Sequence, residues 1–181
     1  EAAIAAAAHR LSGRIYVGGQ EHFYLEGQSA LAIPGEGDEI LIHSSTQHPS
    51  EIQHSVAHVL DVPLGAVTVS CRRMGGGFGG KETQGNLAAA AVALVARITG
   101  RPAKIFYDRD DDMVMTGKRH DIRIDYRVGY DAEGRIEGIV VEQALRCGHS
   151  WDLSPAIAER AAFHADNCYY LPNALIRSYR C

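Results

Sequence analysis

No apolar run in this sequence reaches the ~18–20 residues that a membrane-spanning helix needs. The longest, LAAAAVALVA at 87–96, is too short and too rich in alanine. No basic stripe is present either. Lysine and arginine number 18 against 22 acidic residues, for a net charge of −4. Nothing is therefore arranged to neutralise a phosphate backbone, and nucleic acid is excluded as the main partner. There is no C-x-x-C pair. Cys71, Cys147, Cys168 and Cys181 are scattered and read as buried thiols in a reducing cytosol, not as metal ligands. The histidines form no H-E-x-x-H or comparable spacing. His54 and His58 stand four apart, but nothing supplies the rest of a metal site, so they read as helix-surface residues. Internal repeats and low-complexity linkers are missing. So are an initiator methionine and a legible signal peptide. The chain starts inside EAAIAAAAHR and stops on Cys181 straight after ALIRSYRC, so the expectation is an internal piece of a larger, cytoplasmic polypeptide.

What is present suits a soluble, folded region. Of the residues, 46% are hydrophobic and 22% charged, enough to bury a core. Residues 14–33 alternate aromatic and branched side chains and read as strand, broken at Gly18–Gly19. EILIHSS at 39–45 is a second strand. Pro49 opens a helix whose Ile52, Val56, Val59 and Leu60 share a face. AVTVSCRR at 66–73 is a strand. A helix from about Glu82 to Ile98 is apolar on nearly every side and should be buried all round, with Gly100 and Pro102 stopping it. AKIFYD is a strand, and DRDDDMVMTGK a short acidic-started helix or turn. Two alternating runs about DAEG make a hairpin, Pro155 opens a last helix, and LPNALIRSYRC ends the chain as strand. The order predicts an α+β fold, mixed sheets packed with helices, as a single domain over 1–181.

The stretch RRMGGGFGGKE at 72–82 carries five glycines in six positions around Phe78. It meets the phosphate-loop pattern G-x-x-x-x-G-K from Gly75 to Lys81, after a strand and before a helix. The next residue should be serine or threonine to hold Mg²⁺; here it is Glu82. A carboxylate at a helix start repels a phosphate and occupies the positive end of the helix dipole itself. The looser G-x-G-x-x-G match lacks a ribose-binding acid about 20 residues on. Glycines instead let backbone N–H groups approach a ligand and display Phe78 where a ring is seldom held. A ring face beside a directed carboxylate suits a flat, hydrogen-bonding heterocycle. The alternative is a tight packing turn with Phe78 as core.

Five stretches, GGQEHFYLE (18–26), STQHPSEIQ (45–53), RRMGGGFGGKE (72–82), DRDDDM with TGKRH (108–120) and AERAAFHADNCYYLPN (158–173), resemble the molybdenum hydroxylases. Within them they resemble the molybdenum-binding subunit of the xanthine dehydrogenases, in the same order along nearly the whole chain. The resemblance implies hydroxylation of a purine carbon at a molybdenum–molybdopterin centre with oxygen from water. Electrons would leave through [2Fe-2S] clusters to FAD on other domains or subunits. It implies roles residue by residue. Gln47 matches the glutamine that hydrogen-bonds an oxo ligand of the metal. Phe78 and Gly79 match the ring and backbone flanking substrate and cofactor. Glu82 matches the carboxylate that hydrogen-bonds the purine, and Arg160 the arginine at the substrate's other end. No direct metal ligand is implied in this segment.

Glu82 and Arg160 bear on the substrate. A guanidinium can stabilise negative charge that builds on the ring, and a carboxylate can accept a ring N–H. The similar aldehyde oxidases generally carry uncharged residues at both places, so purine is favoured over aldehyde. Read from the residues alone, Arg160 is a solvated helix charge and Gln47 an ordinary loop glutamine. The family's general-base glutamate, its second ring-sandwiching aromatic and most pterin-gripping groups belong to sequence outside this chain. The expectation is part of a site wall, inactive alone, whose partners are the rest of the molybdenum subunit and the iron–sulfur and FAD domains. The readings left open are another aromatic heterocycle or an aldehyde as substrate, a phosphate-loop nucleotide binder, and a non-catalytic assembly module.

Overall fold

The computed structural model describes residues 1–181. In chain order the elements are α1 (Ala2–Ala6), β1 (His9–Val17), β2 (Ser29–Pro34), β3 (Ile40–Ser44), α2 (Pro49–Leu60), a 3₁₀ turn at Leu64–Ala66, β4 (Val67–Ser70), α3 (Gly85–Thr99), β5 (Ala103–Phe106), α4 (Arg109–Met115), β6 (Ile122–Tyr130), β7 (Ile136–Leu145), α5 (Ser154–Phe163) and β8 (Ala174–Arg180). The chain forms two compact units, residues 21–118 and residues 1–20 with 119–181. Each has its own four-stranded mixed sheet, in keeping with the α+β expectation. No helix is long and apolar enough to cross a membrane.

In the unit of residues 21–118 the sheet order is β4-β3-β2-β5. β3 runs parallel to β4, and β2 lies antiparallel to both β3 and β5. Alternation along β3 buries Ile40, Ile42 and Ser44 and leaves Leu41 and His43 half-buried. The inward residues meet Ile52, Val56 and Ala57 of α2 and Ala88, Ala89, Val92, Ala93 and Ala96 of α3 to make the core. Proline begins α2, and Asp61 closes it in the left-handed conformation. Gly100, at φ +64°, ends α3 and donates its N–H to Ala96 O. The Asp108 carboxylate caps α4 by accepting from Asp111 N–H.

Several expectations for this unit are corrected. Apart from an isolated bridge between Gln20 and Arg119, residues 18–28 are loop, and Tyr24 and Gln28 bond inward to Asp112 and Gly80. α3 starts at Gly85 and is not buried all round: Leu87, Leu94, Val95 and Ile98 face outward. The buried stripe is mostly alanine, whose small side chain brings α3 close to β2 and α2 and leaves no room for leucine. On α2, Val59 is exposed and Ala57 takes the inward place. His54 and His58 are exposed, as read from the sequence.

In the other unit the order is β1-β6-β7-β8, antiparallel except for the parallel β7–β8 pair. The turn Asp131–Arg135 joins β6 and β7, with Asp131 Oδ1 accepting from the N–H groups of Glu133 and Arg135. α5 lies on this sheet through buried Ser154 and Ala158. Ser178 Oγ donates to Ala158 O at 3.3 Å and Gln143 Nε2 to Ala161 O at 3.4 Å. All four cysteines are free thiols and none is buried, which corrects the expectation of buried sulfur. None stands on an inward-facing position of either core.

Candidate functional site

The glycine loop between β4 and α3 folds against two other loops of the same unit, residues 21–28 and 45–48. Each glycine admits a specific neighbour. A Cβ on Gly75 would stand 2.5 Å from Glu26 Cβ, one on Gly77 2.5 Å from Gln47 Oε1, and one on Gly80 2.7 Å from both His22 Cγ and Tyr24 Cε1. Gly76 and Gly79 adopt φ +97° and +91°, open to glycine alone at no cost. Phe78 sits between them at φ +54° and is 75% exposed. An exposed phenylalanine held in the left-handed region costs about 1 kcal/mol, strain of the kind that collects at ligand sites.

Lys81 fixes the loop from below. Its side chain has no exposure, and Nζ donates to Glu26 O at 2.7 Å and Ser45 Oγ at 2.6 Å, lies 3.4 Å from Glu26 Oε2, and stands 4.5 Å above the Tyr24 ring. Its main chain is tied as firmly. Lys81 O accepts from Gln47 N–H and Thr46 Oγ1, and Lys81 N–H donates to Gln47 Oε1. This ammonium is spent inside the protein and is not presented to a phosphate, which removes the physical basis of the nucleotide-binding alternative. Burial pulls the Lys81 ammonium below its usual range, against the opposing pull of Glu26. Burial alone would raise the Glu26 carboxyl. The Gly75 N–H, the Ser45 hydroxyl and Lys81 outweigh it and hold that carboxyl below its ordinary value.

Beneath lies a second polar layer centred on Asp112. It accepts from Tyr24 OH at 2.6 Å and Gln28 N–H at 2.7 Å, and Gln28 Nε2 passes on to Gly80 O at 3.0 Å. Burial, reinforced by Asp112, pushes the Tyr24 phenol up to about 12. Sequence reading assigned no role to Glu26, Tyr24, Gln28 or Asp112. The available signal was Lys81 at the end of a glycine-rich stretch and Glu26 beside aromatic and apolar residues, where a buried charge needs a partner.

Gln47, Phe78, Gly79 and Glu82 come together on this unit. Gln47 Oε1 accepts from Gly79 N–H at 2.9 Å and from Lys81 N–H at 3.1 Å. Two donors aimed at one atom identify it as the oxygen, so the amide nitrogen Nε2 is turned away from the loop as a free donor. Glu82 is half-buried in the lead-in to α3, three residues before its first residue. It is therefore not at the helix N-terminus, because Gln84 and Gly85 make the first turn instead. The Glu82 carboxylate comes within 3.9 Å of where a Gly79 Cβ would be. Phe78 projects as an exposed ring and is not core. Arg160 belongs to the other unit, in the last turn of α5. Its side chain is exposed, and cations near a helix C-terminus are favoured by the dipole in any case. A cavity of about 250 Å³ on the sheet of residues 21–118 is lined by His43, Arg72, Arg73 and Lys104. It includes neither the exposed Phe78 nor the half-buried Glu82.

The donor set fits a molybdenum–molybdopterin group bordering this loop. The loop carries an amide whose oxygen is fixed by Gly79 N–H, a glycine at φ +91° with no side chain, and an exposed ring at Phe78. No group of three or more His, Cys, Asp or Glu side chains is placed to hold a metal ion.

Comparison with known proteins puts this geometry in context. The family model described as "Molybdopterin cofactor-binding domain" matches residues 1–181. Xanthine dehydrogenase of Drosophila pseudoobscura pseudoobscura is 45% identical over 181 residues, which is 100% of this chain and 14% of that protein. Xanthine dehydrogenase/oxidase of Felis catus is 48% identical over 164 residues, 90% of this chain and 12% of that protein. The chain thus spans about one-seventh of the curated relatives it matches. Among solved structures, aldehyde oxidoreductase from Desulfovibrio gigas superposes with a TM-score of 0.86 at 23% identity, covering 97% of this chain and 19% of that one. Quinoline 2-oxidoreductase from Pseudomonas putida 86 superposes at 0.83 and 19% identity, covering 99% and 23%. At such identities these two likenesses concern the fold.

Proposed function

The chain belongs to the molybdopterin cofactor-binding domain family, and from that premise we propose that it supplies one wall of the substrate site of a molybdenum hydroxylase acting on xanthine or hypoxanthine. In this reading residues 1–181 work as one domain of the molybdenum subunit, beside partner regions carrying [2Fe-2S] clusters and FAD, in the cytoplasm. When bound, the molybdenum cofactor supplies the two-electron oxidation of the substrate carbon. Gln47 turns its amide donor toward the group, held by Gly79 and Lys81. Gly79 lets the ligand approach the backbone, and Phe78 offers its ring face to a flat heterocycle. Glu82 accepts a ring N–H or shares a proton with a ring nitrogen. Arg160 stabilises the negative charge that gathers at the far end of the ring as the carbon is attacked. Both charged positions are kept, which favours purine over an aldehyde.

The observation that carries this reading is the Gln47 amide, whose oxygen is locked by two loop N–H groups so that only its nitrogen can face a ligand. Gln47→Glu keeps the locked oxygen and removes the outward donor. In the full-length enzyme it should leave the unfolding midpoint within about 0.5 kcal/mol and cut xanthine turnover about 10²-fold or more, as loss of one positioned donor does. Unchanged turnover, or a wild-type protein without molybdenum, would overturn the reading. The isolated chain given xanthine and an electron acceptor should turn nothing over.

A further inference from the structure

His22 lies inside the GGQEHFYLE stretch yet has no part in the roles above. Its ring passes directly under Gly80, where any side chain would collide with it, and runs nearly parallel to Tyr24 with 6.4 Å between ring centres. The backbone N–H of His22 is tied to Glu21 Oε1 at 3.0 Å. The two ring nitrogens then meet different fates. Nδ1 is sealed against the loop with no hydrogen-bond partner. Nε2 points past Gly80 to the Cα face of Gly79, 4.0 Å from where a Cβ would be, while Glu82 Oε1 reaches the same face at 3.9 Å.

This arrangement restricts the imidazole chemically. Protonating both nitrogens would leave a buried Nδ1–H with no acceptor. Burial accordingly holds the imidazole below its ordinary pKa. Glu21 and Asp112 pull against that burial and Lys118 works with it. Burial thus favours the neutral ring. Its one usable polar atom is Nε2, which has no partner within the chain.

We propose that His22 is a further ligand-binding residue of this site, its Nε2 pairing with Glu82 across Gly79 to hydrogen-bond the polar edge of a planar, nitrogen-containing heterocycle. This rests on the function proposed above and deepens it. A carboxylate alone takes a ring N–H. A neutral imidazole beside it can meet a second ring atom or an exocyclic oxygen, so the two fix the heterocycle's rotation in its own plane. A benzaldehyde offers no polar atom beyond its reacting carbonyl, so the second contact that Nε2 makes to a heterocycle's edge is missing there.

The test uses the full-length enzyme carrying His22→Phe, which keeps the ring stacked on Tyr24 and removes Nε2, and His22→Gln, which restores a hydrogen-bonding group. Three quantities are read: molybdenum content, kcat/KM for xanthine against a benzaldehyde, and the Kd of the oxidised purine product by calorimetry, where nothing turns over. In H22F the xanthine-to-benzaldehyde ratio should fall, and the product Kd rise, about tenfold, the size of one lost hydrogen bond. H22Q should regain most of both. If H22F loses its molybdenum, His22→Ala, which only opens space under Gly80, carries the same comparison. Unchanged product affinity at matched molybdenum content, or equal losses on both substrates, overturns the proposal while leaving the hydroxylase reading intact. A wild-type enzyme that neither binds the purine product nor oxidises xanthine removes both.

Discussion

The loop cluster of residues 21–118 and the α5 segment of the other unit each carry residues assigned to the site, but they hold them by different means. Gln47, Phe78, Gly79 and Glu82 sit on irregular backbone fixed by buried polar groups: an ammonium with no exposure, two layers of side-chain-to-backbone bonds, and glycines at Gly75, Gly77 and Gly80 that make room for neighbouring side chains. Arg160 sits on a regular helix whose anchorage is a few small residues, with its own side chain in solvent. Where positions are set by a buried network, stability and function are coupled. On an exposed helix face they can be separated. The lesson is that the same kind of site residue should respond to mutation in opposite ways in the two regions.

The sharpest way to break this contrast is Lys81→Met. It leaves Glu26, Ser45 and the Glu26 carbonyl without their shared donor while the loop must stay closed. Breaking a wholly buried charge pair costs about 3–5 kcal/mol. Here the expected loss is about 2–3 kcal/mol, because Glu26 keeps partial contact with water and is partly screened. The unfolding midpoint in urea reads it. The pH dependence has a definite sign. Because the Glu26 carboxyl is held below its unfolded value in the fold, its contribution is present above that unfolded value. It is lost as pH falls through the folded one. Glu26→Gln should flatten that acid limb. A midpoint unmoved by Lys81→Met would mean the ammonium is incidental to the loop.

How much of this could be read in advance follows the same division. The elements were legible wherever period and caps agreed: α2 after Pro49, the β6–β7 hairpin about Asp131, and the stop at Gly100. The failure at residues 18–28 is instructive. Tyr24 and Gln28 look like alternating strand residues, yet their partners are Asp112 and Gly80, 88 and 52 positions away in sequence, and no local pattern encodes such contacts. The α3 error has the opposite cause. Ten apolar residues in a row carry no information about which face is inward, and only side-chain size, alanine in and leucine out, decides it. Of the site, Gln47, Phe78, Gly79, Glu82 and Arg160 were nameable through the family resemblance, and the first four stand close together on one unit. His22, Glu26, Lys81 and Asp112 stood in the same quoted stretches without a role, because burial and hydrogen-bond direction are not visible in letters.

A smaller effect sharpens the comparison through glycine alone. Gly80→Ala drives a methyl to within 2.7 Å of the His22 and Tyr24 rings and should cost about 1–3 kcal/mol by overpacking, with a loss of cofactor loading in the full-length enzyme. Gly134→Ala, in the β6–β7 turn of the other unit, meets no atom within 4 Å but sits at φ +81°. It should cost about 1 kcal/mol, the backbone term only, and leave loading untouched. Equal effects of the two would show that the glycine loop is an ordinary turn.

The smallest effect on stability is expected at Arg160, and there the comparison is tested most cleanly. Its guanidinium is exposed and its neighbours on α5 are held by Ser154, Ala158 and Ala161, none of which depends on it. Arg160→Met should therefore change the unfolding midpoint by no more than about 0.5 kcal/mol. If the residue also stabilises charge on a purine, xanthine kcat/KM should fall about 10²–10³-fold, with a benzaldehyde spared or favoured, and Glu82→Val should act in the same sense. Stability and turnover would then part company at Arg160 as they cannot at Lys81. Xanthine kinetics unaffected by the substitution would return Arg160 to what its burial alone says, a cation favoured by the end of a helix.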